Sequence, residues 1–133
     1  MAAVLSAIGG CSSGKTEARR VGSVVHVTER DFHIAAIPSR VASGDVVMSV
    51  LNRGPVQHEF IVVRKNDAAL PFRADDVTLD EEALETATVG VLEPGAPGSV
   101  RRLRLHLAPG RYEMFCNMSG HYLGGMHADL VVS

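Results

Sequence analysis

The sequence predicts an all-β fold, namely a Greek-key β-sandwich of seven or eight strands with one short helix or loop excursion. Short runs rich in valine and isoleucine recur along the chain, and Gly, Pro and Asn separate them. This is the pattern of strands joined by tight turns. The chain has 133 residues, a length that suits one domain with a substantial core. Helical segments do not alternate with the runs, which disfavours a parallel α/β sheet.

Eight segments have the composition of strands, and one longer polar segment interrupts them. That acidic segment runs from Asn66 to about Glu85, and its "LDEEALE" predicts one short helix with Asp80 as the cap. We expect its carboxylates to face solvent. In "VRRLRLHL", Val100 and three leucines are expected mostly on one face, opposite the Arg and His side chains. The predicted strands are 23–29, 32–37, 45–52, 59–64, 86–92, 99–107, 110–116 and 128–133.

Charge and hydropathy disfavour several classes of protein. The net charge is −2 and no basic run stands out, so a nucleic-acid partner is not expected. No apolar stretch approaches the roughly 20 residues of a membrane-spanning helix. The two cysteines are too few for a disulfide-framework protein.

A glycine-rich stretch near the start, "GGCSSGKT", fits two templates. It matches the phosphate-binding pattern G-x-x-x-x-G-K-T. That loop works between a strand and a helix, whose N-terminus and amides hold the phosphates. Here the match begins nine residues into the chain, the residues after it make a poor helix, and the remainder is β-rich. The phosphate-loop interpretation is therefore disfavoured.

The same stretch resembles a bacterial lipobox, because "LSAIGGC" places an aliphatic and two small residues before Cys11. This predicts a lipoprotein signal remnant and flexible tether at 1–20, and a folded domain at 21–133. The protein would then be exported, periplasmic or at the cell surface, and held to the membrane only by lipid on Cys11. Signal peptides begin with positive charge, yet no Lys or Arg precedes Lys15. Either the true start lies upstream of Met1 or the segment is an ordinary tail.

The strongest chemical signal lies in "YEMFCNMSGHYLGGMHADLVV", between two predicted strands. It contains Cys116, His121 and Met126 in the spacing C-x4-H-x4-M. A further histidine, His58, stands upstream at the head of a strand. A thiolate and two imidazoles make a trigonal ligand set, and a thioether adds a weak axial contact. That combination suits copper, and in particular a blue-copper electron-transfer site.

From about Val21 to the C-terminus the chain resembles the cupredoxins, the family that includes plastocyanin, azurin and sulfocyanin. Their pattern is an early histidine, then a Cys-His-Met loop before the last strand. The resemblance implies one type 1 copper ion bound by His58, Cys116, His121 and Met126, with both histidines binding through Nδ1.

The resemblance also implies how such a protein works. Electrons would leave through the edge of His121, at an apolar surface that Met118, Tyr122 and Leu123 help to form. The protein would be a monomer that carries single electrons between redox partners such as a cytochrome, an oxidase or a reductase, without catalysis of its own. One departure is Glu59, which stands where many cupredoxins have Asn.

Other interpretations stay open at this point. The same fold could serve copper storage, delivery or sensing, although a thiolate ligand favours electron transfer. An oxidase or nitrite reductase needs further copper sites, for which the chain lacks paired histidines. A disulfide between Cys11 and Cys116, a zinc site and a cysteine nucleophile are weaker alternatives.

Overall fold

The computed structural model describes residues 22–133. The glycine-rich stretch, Cys11 and the tether lie outside these residues. The predictions of a lipid anchor and of a domain boundary near residue 21 therefore stay predictions. Within the described part, no helix is long and apolar enough to cross a membrane.

The described residues form nine strands and one short helix, so the predicted all-β class is confirmed. All eight predicted strands are present, and the ninth has only two residues, too few to show a periodicity in sequence. The predicted helix is also present as α1. The elements are β1 Ser23–Arg30, β2 His33–Ile37, β3 Arg40–Val41, β4 Gly44–Asn52, β5 His58–Lys65, α1 Glu81–Leu84, β6 Thr88–Gly95, β7 Val100–Leu107, β8 Gly110–Phe115 and β9 His127–Val132.

Two sheets pack face to face. One has the order β2-β1-β4-β7, and the other has the order β3-β9-β8-β5-β6. Strands that are neighbours in a sheet are often distant in the chain, as the pairing of β5 with β8 shows. These crossovers confirm the predicted Greek-key sandwich.

The core lies between the sheets and follows the period-two alternation of the strands. In β4, for example, Val46, Met48 and Val50 are fully buried, because alternate side chains of a strand share one face. The predicted inward face of β7 is partly wrong. Val100 is 59% exposed, and Arg101 instead shares the inner face with the leucines.

The acidic segment covers the outer face of the five-stranded sheet. Leu79 and Leu84 are buried there against Ile61, Val63 and Phe115. The helix begins at the predicted cap, since the Asp80 carboxylate accepts a hydrogen bond from the backbone of Ala83 at 3.1 Å. Strand β5 is thus covered on both faces, which makes it a rigid support for whatever its first residue binds.

Candidate metal centre

Three adjacent strands bring the predicted ligands to one edge of the five-stranded sheet. His58 is the first residue of β5, Cys116 directly follows β8, and Met126 directly precedes β9. Since β8 runs antiparallel to both neighbours, the end of β8 meets the starts of β5 and β9. His121 lies in the loop between β8 and β9.

Backbone hydrogen bonds fix the loop that carries three of these residues. The Cys116 amide donates to the Met126 carbonyl at 3.2 Å, and the Met126 amide donates to the His121 carbonyl at 3.0 Å. The His121 amide donates to the Met118 carbonyl at 2.8 Å. Gly125 has φ of +107°, a conformation that side chains disfavour. The loop is therefore closed on itself before any ligand binds.

The donor atoms form a compact triangle. The Cys116 Sγ atom lies 3.6 Å from His121 Nδ1 and 3.9 Å from His58 Nδ1, and the three donors lie within 4.8 Å of one another. Bonds of about 2.3 Å to sulfur and about 2.0 Å to nitrogen, at 120°, would separate S and N by about 3.7 Å. The triangle therefore has the dimensions of a trigonal metal site.

Residues 33–133 match the family model described as the Sulfocyanin (SoxE) domain. The chain belongs to this family. No curated protein sequence matches the chain. The predicted resemblance to cupredoxins is thus confirmed, and with it copper as the cofactor that the His₂Cys donor set fits.

Solved structures similar to this family member share its fold at low identity. An auracyanin from Roseiflexus castenholzii is 20% identical with TM-score 0.62, over 84% of this chain and 98% of that one. Auracyanin A, a "blue" copper protein from Chloroflexus aurantiacus, is 18% identical with TM-score 0.62, over 85% and 100%. Rusticyanin from Thiobacillus ferrooxidans is 17% identical with TM-score 0.59, over 85% and 79%.

Met126 completes the set that the sequence predicted for copper. Its side chain is fully buried and belongs to the same core cluster as Cys116. With copper bound, this thioether would supply the weak fourth contact that blue-copper sites use, whereas a thioether is a poor ligand for zinc.

Burial controls the chemistry of the thiol in this site. Cys116 is fully buried and forms no disulfide within residues 22–133. Burial raises the pKa of its thiol to about 11, although backbone N–H groups of Met118 and Glu59 partly oppose this. Burial, followed by the nearby His121, lowers the pKa of His58. A buried thiol that stays protonated at neutral pH is a poor nucleophile, which argues against cysteine catalysis.

Glu59, the departure from the usual cupredoxin pattern, connects two parts of the site. Its Oε1 atom accepts a hydrogen bond from the backbone N–H of Asn117 at 3.0 Å. Burial, followed by the charge of Glu81, raises the pKa of this carboxyl. Glu59, which directly follows His58, is therefore hydrogen-bonded to Asn117, which directly follows Cys116.

The surroundings of His121 agree only in part with the sequence analysis. His121 is half-buried, and Leu123 beside it is 57% exposed. Met118 packs against the core. The ring of Tyr122 packs against Phe115 in the cluster on the outer face of the five-stranded sheet, at 5.6 Å between centroids.

Two contacts of the histidines had no signal in the sequence. The Phe32 ring meets His121 edge-on at 5.4 Å between centroids, and Asp31 Oδ1 lies 3.1 Å from His58 Nε2. Both residues belong to the turn between β1 and β2, far from the ligands in the chain. A short polar-aromatic turn carries no pattern that would mark it as part of a metal site.

Proposed function

We propose that this protein carries single electrons, with His58, Cys116, His121 and Met126 as the ligands of one type 1 copper ion. The observation that carries the proposal is the compact Nδ1–Sγ–Nδ1 triangle at the meeting point of three strands. Copper supplies a one-electron couple between Cu(I) and Cu(II) when bound. The chain itself performs no bond-making chemistry in this role.

The protein's contribution is to hold the donors still. His58 and Cys116 are fully buried, so water does not reorganise around them when the charge changes. The hydrogen bonds that join Cys116, His121 and Met126 keep the loop in one shape. A site that hardly moves between redox states transfers electrons with a small reorganisation cost.

Electrons would enter and leave through His121. It is the one member of the donor triangle that is not fully buried. The exposed Phe32 ring packs against it, and the exposed Leu123 follows two residues later in the same loop. A redox protein such as a cytochrome, an oxidase or a reductase could dock against these apolar side chains, since apolar contacts form the core of protein interfaces. We propose that the protein acts on such partners as a monomer.

The lipid anchor is the second part of the proposal. A lipobox-like "LSAIGGC" precedes the folded part of the chain, which supports export to the periplasm or cell surface, with residues 1–20 as signal remnant and tether. Mass spectrometry of the native protein should find lipid on Cys11, and a Cys11→Ser variant should be released from membranes. Recovery of an intact, unmodified N-terminus from Met1 would contradict this part alone.

Voltammetry distinguishes electron transfer from the alternatives on the same fold. Copper-loaded protein should give a reversible one-electron couple and keep its copper over many cycles, even with a Cu(I) chelator present. A storage or delivery module should lose copper to the chelator on reduction. Irreversible waves with copper loss would therefore refute the electron-carrier proposal in favour of delivery.

A further inference from the structure

The turn between β1 and β2 contacts both histidines of the donor triangle. On one side, Asp31 Oδ1 lies 3.1 Å from His58 Nε2. On the other, the Phe32 ring packs edge-on against the His121 ring. The turn lies outside the Cys-His-Met loop and outside β5, so neither residue belongs to the predicted ligand set.

The contact between Asp31 and His58 lies in the interior of the protein. His58 is fully buried, and the side chain of Asp31 is 29% exposed. The two atoms in contact are themselves buried, and neither has a hydrogen-bond partner among residues 22–133, so they meet as a close charge contact and not as a well-aligned hydrogen bond. The opposite ring nitrogen, Nδ1, faces the Cys116 sulfur. The carboxylate thus lies at the nitrogen that points away from the triangle.

The position of Asp31 favours one of the two neutral tautomers of the His58 ring. A neutral imidazole carries its proton on one nitrogen and a lone pair on the other. A carboxylate at Nε2 favours the proton there, which leaves the Nδ1 lone pair directed toward the triangle. Carboxylate partners of metal-binding histidines also fix the ring orientation and raise the basicity of the ligating nitrogen.

We propose that Asp31 is a positioning residue of the metal site, which holds His58 in the Nε2–H form and tunes the bound copper by its charge. The inference rests on the proposed function. A negative charge on the far side of His58 favours Cu(II) over Cu(I) and so lowers the reduction potential.

Phe32 explains why the carboxylate stays in place. This residue has φ of +61°, a left-handed conformation that costs a non-glycine residue of order 1 kcal/mol or more. Its ring fills the space where a side chain on Gly124 would lie, since a Cβ there would be 2.2 Å from the ring. The turn and the ligand loop are therefore fitted to each other, and Asp31 is held beside His58.

The direct test uses the metal-free protein, so it does not depend on copper chemistry. Nitrogen-15 NMR at pH 8 reports which nitrogen of His58 carries the proton. Wild type should show the Nε2–H form. Asp31→Leu, which removes the acceptor at similar size, should give a mixture of the two forms. Asp31→Asn keeps an acceptor oxygen and should retain Nε2–H.

The chain offers a matched control in Asp45, whose carboxylate contacts His106 Nδ1 at 2.8 Å on the exposed surface. Asp45→Leu should leave the His58 form, the copper affinity and the reduction potential unchanged. It removes the same kind of pair without touching the site.

With copper added, Asp31→Leu should weaken Cu(II) binding by roughly 10- to 100-fold, and Asp31→Asn should raise the reduction potential. An Asp31→Leu protein with wild-type His58 tautomer and affinity within twofold would overturn the inference. If Asp31→Leu fails to fold, an unchanged potential in Asp31→Asn would overturn it instead. A wild-type protein that binds copper without a blue colour would instead refute the proposed function, whatever the tautomer of His58.

Discussion

Replacement of Asn117 by alanine should detach the acidic segment from the metal site. The Asn117 side chain accepts from the Leu79 amide at 2.7 Å and donates to the Leu79 carbonyl at 3.0 Å. It also donates to the Glu81 carboxylate at 2.7 Å. One side chain therefore pairs both backbone groups of a buried residue and connects the segment to the residue after Cys116.

The size of the effect follows from what the substitution leaves behind. Leu79 is fully buried, so its amide and carbonyl would each lose a partner at a cost of about 1–3 kcal/mol. The segment can avoid this by lifting off, but then Leu79 and Leu84 lose their burial, at about 1.5–3 kcal/mol each. Either way, the free energy that holds the segment in place falls by at least about 2 kcal/mol.

Hydrogen exchange on the metal-free protein measures this locally. Amides from Leu79 to Leu84 should exchange at least about 30-fold faster in Asn117→Ala, because every 1.4 kcal/mol is a factor of ten. Asn66→Ala is the control, since within residues 22–133 its side chain accepts only from the exposed Ala68 amide. That variant should change stability by less than about 0.5 kcal/mol. Unchanged exchange in Asn117→Ala would refute the reasoning.

Three further predictions concern buried ionisable groups. Burial raises the pKa of Glu29 from 4.5 to about 7 despite Arg101 beside it, so the folded state binds this proton more tightly than the unfolded chain. The contribution of Glu29 to the free energy of unfolding of the metal-free protein should therefore fall by roughly 3 kcal/mol between pH 4.5 and 7. Urea titrations at several pH values should show this pH dependence, and Glu29→Gln should remove it. Since the pKa of the Cys116 thiol is about 11, copper binding must displace its proton. Competition titrations should therefore show the affinity for copper rising about tenfold from pH 8 to pH 9. A pH-independent affinity would mean that the thiol is not a ligand. Tyr122 donates to the buried Glu113 carboxylate at 2.7 Å. Tyr122→Phe should therefore lower the free energy of unfolding by about 1.5–3 kcal/mol, as measured by calorimetry. A decrease below about 0.5 kcal/mol would show that Lys65, at 2.9 Å, is a sufficient partner for Glu113.

The sequence predicted those parts of the molecule that depend on local pattern. Valine-rich alternation located eight strands, and Asp80 before an acidic turn located the helix. The spacing of Cys116, His121 and Met126 indicated a metal loop, because three ligands from one short segment leave a trace in the sequence. His58 was singled out by its place at the head of a strand, and the cupredoxin pattern of an early histidine then implied its role as a ligand.

The sequence could not predict contacts between residues that are far apart in the chain. Asp31 meets His58 because the end of β1 and the start of β5 lie near each other in space, and no periodicity records that. Arg101 was expected to face solvent with its neighbouring arginines, yet it turns inward to a buried carboxylate, with Nη2 2.6 Å from Glu29 Oε2. The role of Glu59 was open for the same reason, since its partner is the backbone of Asn117.

The visible spectrum of the Cu(II)-loaded protein tests the central claim most directly. A thiolate bound to copper in a constrained His₂Cys geometry gives an intense blue charge-transfer band. Wild type should show this band, and Cys116→Ser should lack it while keeping the fold, because a hydroxyl of similar size replaces the thiol. A colourless wild-type protein, or a blue Cys116→Ser protein, would contradict the assignment of Cys116 and with it the electron-carrier function.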